Sequence, residues 1–331
     1  MIDWNSFAEV FRGHEKFVLT THVNPDGDGL GTEIALGLCL QQIRKNVRII
    51  NYSETPKNYT FLNTTSLSIE RFNESVHASV IAEADAIVII DMNDEARLRT
   101  MGKHILSSRA AKIILDHHLD PDEFAQYYII DTDACASGEI GYRIIERLMG
   151  PNFTKEIATG LYTAIMTDTG SFRFPRTDPE VHQMAGHLLA CGADPTSIYE
   201  NVYNQSSLNR LQLLGKALGE LRVEHGGRIG LLVVTRAMFE ETGAREEDME
   251  DFVQSTLAVQ GTKMGILAVE LRDGVKLSFR SKGDIPVNTI AEHYGGGGHK
   301  NAAGARVHDR SLNEVVEEAL SRAKPFLESV S

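Results

Sequence analysis

Residues 17–44 read FVLTTHVNPDGDGLGTEIALGLCLQQIR, and three kinds of local structure follow one another within them. FVLTT (17–21) is a short apolar run of the kind that forms a buried strand. HVNPDGD (22–28) is a polar turn, tightened by Pro25 and its glycines. Residues 32–44 carry apolar side chains at helical spacing. The same alternation continues outward. VRIIN (47–51), AIVIID (86–91) and KIILD (112–116) read as strands, and GEIGYRIIERLM (138–149) and TKEIATGLYTAIM (154–166) as helices. Strand and helix in alternation predict an α/β domain, a doubly wound and mostly parallel sheet with helices on both faces. In such sheets ligands collect beyond the carboxyl ends of the strands. His22, Asp91 and Asp116 each fall at or just past such an end.

The pattern changes after Pro195. Residues 197–221 read as helix, and 203–224 as a helical linker. IGLLVVT (229–235) opens a second set of elements after the turn His225-Gly226-Gly227. A helical stretch near 248–258 is followed by MGILAVELRDGVKLSFRS (264–281), a hairpin whose turn is Asp273-Gly274. Residues 286–294 suggest a short helix ending in Gly295-Gly296-Gly297-Gly298-His299, and 313–327 a closing helix. The expected organisation is a catalytic domain at 1–202, the linker at 203–224 and a smaller α/β domain at 225–331.

Composition narrows the functional classes. The 331 residues carry a net charge of -13, with 42% hydrophobic residues and a mean hydropathy of -0.19. Such an acidic chain is a poor general binder of long DNA or RNA, which wants clustered cations. A short anionic substrate held by local cations and bound ions is compatible with it. Cys39, Cys135 and Cys191 form no CxxC and read as reduced, buried thiols. MIDWNSFAEVFRGHEKF lacks the apolar core of a signal peptide, and no apolar run nears the ~20 residues a membrane span needs. Cytoplasmic residence is the expectation.

Four short segments carry the chemistry. After FVLTT, the turn aims His22, Asp26 and Asp28 toward the strand end. Asp91 closes AIVIID, Asp116-His117-His118 closes KIIL, and Asp168-Thr169-Gly170 closes a helical pattern. Each alone also reads as a capping or turn carboxylate. Five carboxylates in one pocket would repel and raise one another's pKa unless cations neutralised them. Imidazole with carboxylate oxygen suits manganese, iron, zinc or cobalt. Arg173 and Arg176 follow the last segment, where they either reach phosphate or stay solvated.

In this order the segments resemble the DHH phosphoesterase superfamily, through HxxPDxD at 22–28, the lone Asp91, the DHH triplet at 116–118 and DTG at 168–170. LSFRSKGDIPVNTIAEHYGGGGHKNAAGA (277–305) resembles the substrate-binding domain associated with that family. The length and the segment TDTGSFRFPRTDPEVHQMAGHLLACGADP look most like the NrnA-type oligoribonucleases and pAp phosphatases. Gly29 departs from the pattern, which usually has a small residue such as Ala there.

The resemblance implies two Mn-type ions, one on His22, Asp26 and Asp91, the other on Asp28, Asp91, His117 and Asp168. It implies that Asp116 orients His117 or His118, and that His118 faces the scissile phosphate. Arg280, Ser281, Gly296, Gly297, Gly298 and His299 would bind substrate. From Lys276 to Arg306 five cations meet two acids, a local +3. The implied substrates are short RNA, 3′-phosphoadenosine 5′-phosphate and linear dinucleotides such as pApA, and the implied assembly is a homodimer. Inorganic pyrophosphatase or exopolyphosphatase is the competing enzyme reading, since those relatives share the first four motifs. A nucleotide-binding regulatory module with a vestigial site is the non-enzyme reading.

Overall fold

A computed structural model describes residues 2–119, 121–249 and 251–328. The chain divides after Gln205 into two compact units. In the first, strands β1 (Lys16–Thr21), β2 (Asn46–Asn51), β3 (Ile69–Arg71), β4 (Ala86–Ile90), β5 (Ala111–Asp116) and β6 (Tyr127–Ile130) form one sheet in the order β3-β2-β1-β4-β5-β6. Every pairing in it among the described residues is parallel. The helices are α1 (Trp4–Arg12), α2 (Gly27–Gln42), α3 (Glu74–Ala82), α4 (Arg99–Ser107), α5 (Ser137–Met149), α6 (Lys155–Asp168), α7 (Pro179–Ala190) and α8 (Pro195–Tyr203).

All five residues of β4 are buried, because both faces of the sheet are covered. Phe17, Leu19, Val88, Ile90 and Leu115 pack in one core with the apolar sides of α2, α5 and α6. Their neighbours Val18, Ile87, Ile89 and Ile114 pack in another with Ile81 of α3 and with Met101 and Ile105 of α4. Side chains alternating at period two make this division automatic. The strand order reverses between β1 and β4, which opens a crevice at their carboxyl ends.

Helix α2 begins five residues earlier than the apolar spacing predicts. Asp26 caps it, accepting from the N–H groups of Asp28 at 3.1 Å and Gly29 at 3.4 Å. Two of its glycines are needed for close approach. A Cβ on Gly31 would lie 2.3 Å from the Gly160 carbonyl oxygen of α6, and one on Gly29 would lie 2.3 Å from Thr21 Oγ1. The departure at Gly29 therefore has a local cause in Thr21.

The single helix expected over 197–221 is two helices. The first is α8, and the second, α9 (Leu208–Gly219), starts at Ser207, whose hydroxyl accepts from the Arg210 N–H at 3.0 Å. The stretch expected as a linker thus holds the end of α8, all of α9 and strand β7 (Arg222–Glu224), and α9 packs inside the second unit. That unit continues with β8 (Ile229–Val234), α10 (Arg236–Thr242), α11 (Gln254–Leu257), β9 (Met264–Leu271), β10 (Gly274–Ser281), α12 (Val287–His293), β11 (Gly297–His299), β12 (Ala302–His308) and α13 (Leu312–Glu328). The stretch near 248–258 is broken into a 3-10 turn (Glu246–Met249) and the short α11. The sheet order is β11-β12-β10-β9-β8-β7, parallel only at β8–β9 among the described pairings. Val275, Leu277 and Phe279 of β10 pack with α12 and α13. Leu213 and Ala217 of α9 pack with Leu232 and Leu267 on the other face. No helix among the described residues is long and apolar enough to cross a membrane.

Candidate metal centre

The crevice between β1 and β4 gathers the four polar segments. His22 follows β1, Asp91 follows β4, and His117 follows β5. Asp26 and Asp28 enter on the first turn of α2, and Asp168 on the last residue of α6. Three overlapping clusters result, each with ligand atoms within 4.8 Å of one another: His22, Asp26 and Asp91; Asp28, His117 and Asp168; and Asp91, His117 and His118. His22 Nε2 lies 3.3 Å from Asp91 Oδ2 and 3.9 Å from Asp26 Oδ1. His117 Nε2 lies 3.5 Å from Asp168 Oδ2, 3.7 Å from Asp91 Oδ1 and 3.8 Å from Asp28 Oδ2. Most of these are too long for hydrogen bonds. They suit atoms that share an ion, since ligands about 2.1 Å from a common metal stand roughly 3 to 4 Å apart.

Backbone carbonyls orient both imidazoles. His22 Nδ1 is 2.9 Å from the Val23 carbonyl oxygen and His117 Nδ1 is 3.3 Å from that of Ala134. Donation there leaves each Nε2 as a lone pair facing the carboxylates. Burial pushes both histidines down, toward the neutral form that a metal needs. Asp28 Oδ2 and Oδ1 accept from the Ser137 and Gly138 N–H groups at 2.7 and 2.8 Å, at the N-terminus of α5. Each oxygen keeps a second lone pair.

Burial, and then the neighbouring carboxylates, raise Asp28 and Asp91 well above the usual carboxylate range. Burial and Asp26 push Asp168 up to about 6. Asp116 is fully buried, and its Oδ2 has no hydrogen-bond partner among the described residues. A crowd of buried acids, one with an orphaned oxygen, beside two imidazoles shifted toward the neutral form fits divalent metal ions.

Asp116 Oδ1 accepts from His118 Nδ1 at 2.7 Å and from the His117 N–H at 2.9 Å. The His118 ring is therefore oriented with Nε2 away from Asp116, and it is half exposed where the centre opens. Asp26 serves twice, as the cap of α2 and as a carboxylate beside His22. The capping and ligand readings of that segment are compatible.

Ser137 and Gly138 escape a sequence reading. Their small side chains signal a helix start, but their amides reach Asp28 only across the fold. Ser137 Oγ also donates to Asp91 Oδ1 at 3.3 Å. Of the two arginines after Asp168, Arg176 comes in and donates to the Ala134 carbonyl at 3.3 Å, the same oxygen that faces His117 Nδ1. Arg173 folds onto the Gly170 carbonyl at 2.6 Å, exposed.

The second unit carries the remaining expected residues. Arg280, Ala302 and His299 pair directly across β10, β12 and β11, so Arg280 and His299 share one face of the sheet. Two of the residues expected to bind substrate are also engaged within the unit. Ser281 alternates to the opposite face, where its hydroxyl donates to the Ile285 carbonyl at 2.7 Å and accepts from Asn301 at 2.8 Å. Gly296 N–H donates to the Ala291 carbonyl at 3.0 Å, beside Gly295 N–H on Glu292, so these amides close α12. Gly297 and Gly298 lie in β11, the edge strand, whose outer side no described strand covers. The counted +3 also shrinks, because Glu246, outside the counted segment, pairs with Lys276 at 3.2 Å and with Arg306 at 2.5 Å.

Comparison with known proteins agrees with this division. Residues 16–165 match the model of the DHH family, N-terminal domain, and residues 230–329 match the DHHA1 domain. The bifunctional oligoribonuclease and PAP phosphatase NrnA of Thermus thermophilus is 30% identical over 97% of this chain and 93% of its own length. The crystal structure of an exopolyphosphatase-related protein from Bacteroides fragilis superposes with a TM-score of 0.92 at 30% identity, covering 98% of this chain and 97% of that one. The exonuclease RecJ bound to manganese shares the fold, with a TM-score of 0.56 at 13% identity over 98% of this chain and 95% of that one.

Proposed function

The chain belongs to the DHH family of phosphoester hydrolases, and from that premise we propose that it hydrolyses short oligoribonucleotides to mononucleotides and dephosphorylates 3′-phosphoadenosine 5′-phosphate, with linear dinucleotides such as pApA as further substrates. The observation that carries the reading is the joining of His22, Asp26, Asp28, Asp91, His117 and Asp168 at the β1–β4 crevice. His22, Asp26 and Asp91 would hold one ion, and Asp28, Asp91, His117 and Asp168 the other, with Asp91 shared. The grouping of the ligand atoms supports this assignment. Divalent ions bound there, of the manganese type, supply positive charge to a phosphoryl group and acidify water.

The chain's own residues do the rest. Asp116 fixes the His118 ring, and His118 Nε2 donates to a non-bridging phosphate oxygen as charge builds there in the transition state. The Ser137 and Gly138 amides keep the Asp28 carboxylate in place. Arg280 and His299, on one face of the second unit's sheet, bind substrate phosphate, together with the edge strand at Gly297 and Gly298. The short-nucleotide choice is supported by the Thermus thermophilus relative and by the small size of this cationic face. Cytoplasmic residence as a homodimer accompanies the same reading.

Exopolyphosphatase is the second reading, favoured by the Bacteroides fragilis relative's description. A panel with manganese decides between them, comparing 3′-phosphoadenosine 5′-phosphate, pApA, RNA of two to five residues, longer RNA, pyrophosphate and polyphosphate. Turnover is expected on the first three. Preferential cleavage of pyrophosphate or polyphosphate would overturn the proposal.

A further inference from the structure

Three rows of directly paired residues cross the face of the second sheet on which α9 packs. The first is Arg280, Ala302 and His299; the second is Ser278, Gly304 and Gly297; the third is Lys276 and Arg306. Rows two residues apart are separated by about 7 Å, roughly one nucleotide of backbone. Alanine and glycine between the cations keep the floor shallow. Four cationic or protonatable side chains thus line a track that could take successive phosphates.

Its two ends differ. Arg280 and His299 make no ion pair among the described residues, whereas Lys276 and Arg306 share the Oε1 atom of Glu246. The 2.5 Å contact to Arg306 is a short, charge-assisted bond. Glu246 also stands in the wall of a cleft of about 350 Å³ that holds Lys276, Ser278 and Arg280, with Glu247 and Asp251 beside it. All three members of the ion-paired group are more than a third exposed, and such surface pairs add little stability. The arrangement asks for another use.

We propose that Glu246 is a specificity-determining residue that ends the phosphate track and restricts binding to very short chains. This rests on the reading of the second unit as the nucleotide-binding part. The Glu246 carboxylate occupies the cation pair that a further phosphate would use. A longer oligomer must displace it and then lie beside its negative charge, a repulsive element that selects against the wrong ligand. Substrates that need only Arg280 and His299 do not meet it.

The test uses the full chain and the variants Glu246→Gln and, exposed on α13 across the sheet, Glu317→Gln. With manganese, kcat/KM is measured for RNA of two and of five residues. Glu246→Gln is expected to raise the five-to-two ratio about tenfold and to steepen the salt dependence on the five-residue RNA by about one to two phosphate contacts. Glu317→Gln, with the same change in net charge, is expected to leave the ratio within about twofold of the wild type. Adding Lys276→Gln and Arg306→Gln to Glu246→Gln should return the ratio toward wild type. An unchanged ratio in Glu246→Gln, or an equal rise in Glu317→Gln, overturns the proposal. Anisotropy of labelled two- and five-residue RNA in EDTA separates this from the broader reading. If wild type cleaves no RNA, the functional proposal fails, while selective tightening on the five-residue RNA by Glu246→Gln still upholds the track. Equal affinities in EDTA reject it.

Discussion

Asp91 has a left-handed backbone, with φ of 59°, at the end of β4, a conformation that costs a non-glycine residue about 1 to 2 kcal/mol. Its N–H is held by the Leu115 carbonyl at 2.9 Å, and the turn aims its carboxylate between His22 and His117. Strain of this kind gathers where function needs a side chain in one place. As the proposed shared ligand, Asp91 supports both ions. Asp91→Ala should lower kcat by about 10³-fold or more, the scale of several kcal/mol of lost charge stabilisation, while circular dichroism stays native. Near-normal turnover by that variant would sink the two-ion assignment. Asp91, His117 and Asp168 were legible as candidates because each ends an apolar run. The holding of Asp28 by Ser137 and Gly138 was not, since it joins residues more than a hundred positions apart.

At the scale of elements, the contact between α2 and α6 sets the spacing of the centre. The start of α2 carries Asp26 and Asp28, and the end of α6 carries Asp168. Gly31 and the Gly160 carbonyl bring the two backbones together. Ala is ordinarily a better helix residue than Gly by about 1 kcal/mol, but here its Cβ would meet a rigid carbonyl oxygen. Gly31→Ala is expected to destabilise the protein by about 1 to 3 kcal/mol and to lower activity in parallel, read as a lower urea midpoint beside the kcat. A midpoint equal to or above wild type would show that the helices separate at no cost. The glycines of 27–31 read as turn in the sequence, because glycine disfavours helix. In the fold they are helical, because close packing and the Asp26 cap outweigh that propensity. Gly295 and Gly296 close α12, at the end that the sequence places there.

For the molecule as a whole, the buried carboxylates tie stability to metal and pH. Folding raises Asp168 to about 6 and Asp28 and Asp91 well above the usual range, whereas an unfolded Asp ionises near ~3.9. Between those values the native state holds more protons than the unfolded one. Without metal, stability therefore falls as pH rises from about 4 through about 6 and beyond. Divalent ions displace those protons and bind better as pH rises. Thermal unfolding in EDTA and in manganese at pH 5 and 7.5 should show a larger metal-dependent rise in Tm at pH 7.5. An equal or smaller rise there would argue against metal on these carboxylates.

By itself the sequence determined that the first unit is an α/β sheet and which residues stand at its strand ends, because apolar periodicity and turn chemistry are local. The tertiary structure decided which of those ends meet. Reversal of strand order between β1 and β4 brings His22 and Asp91 together, and the α2–α6 contact adds Asp168. It also decided which cations are paired, since Glu246 reaches Lys276 and Arg306 from a separate turn. Pairings of this kind depend on register and packing between distant segments, which no local pattern encodes.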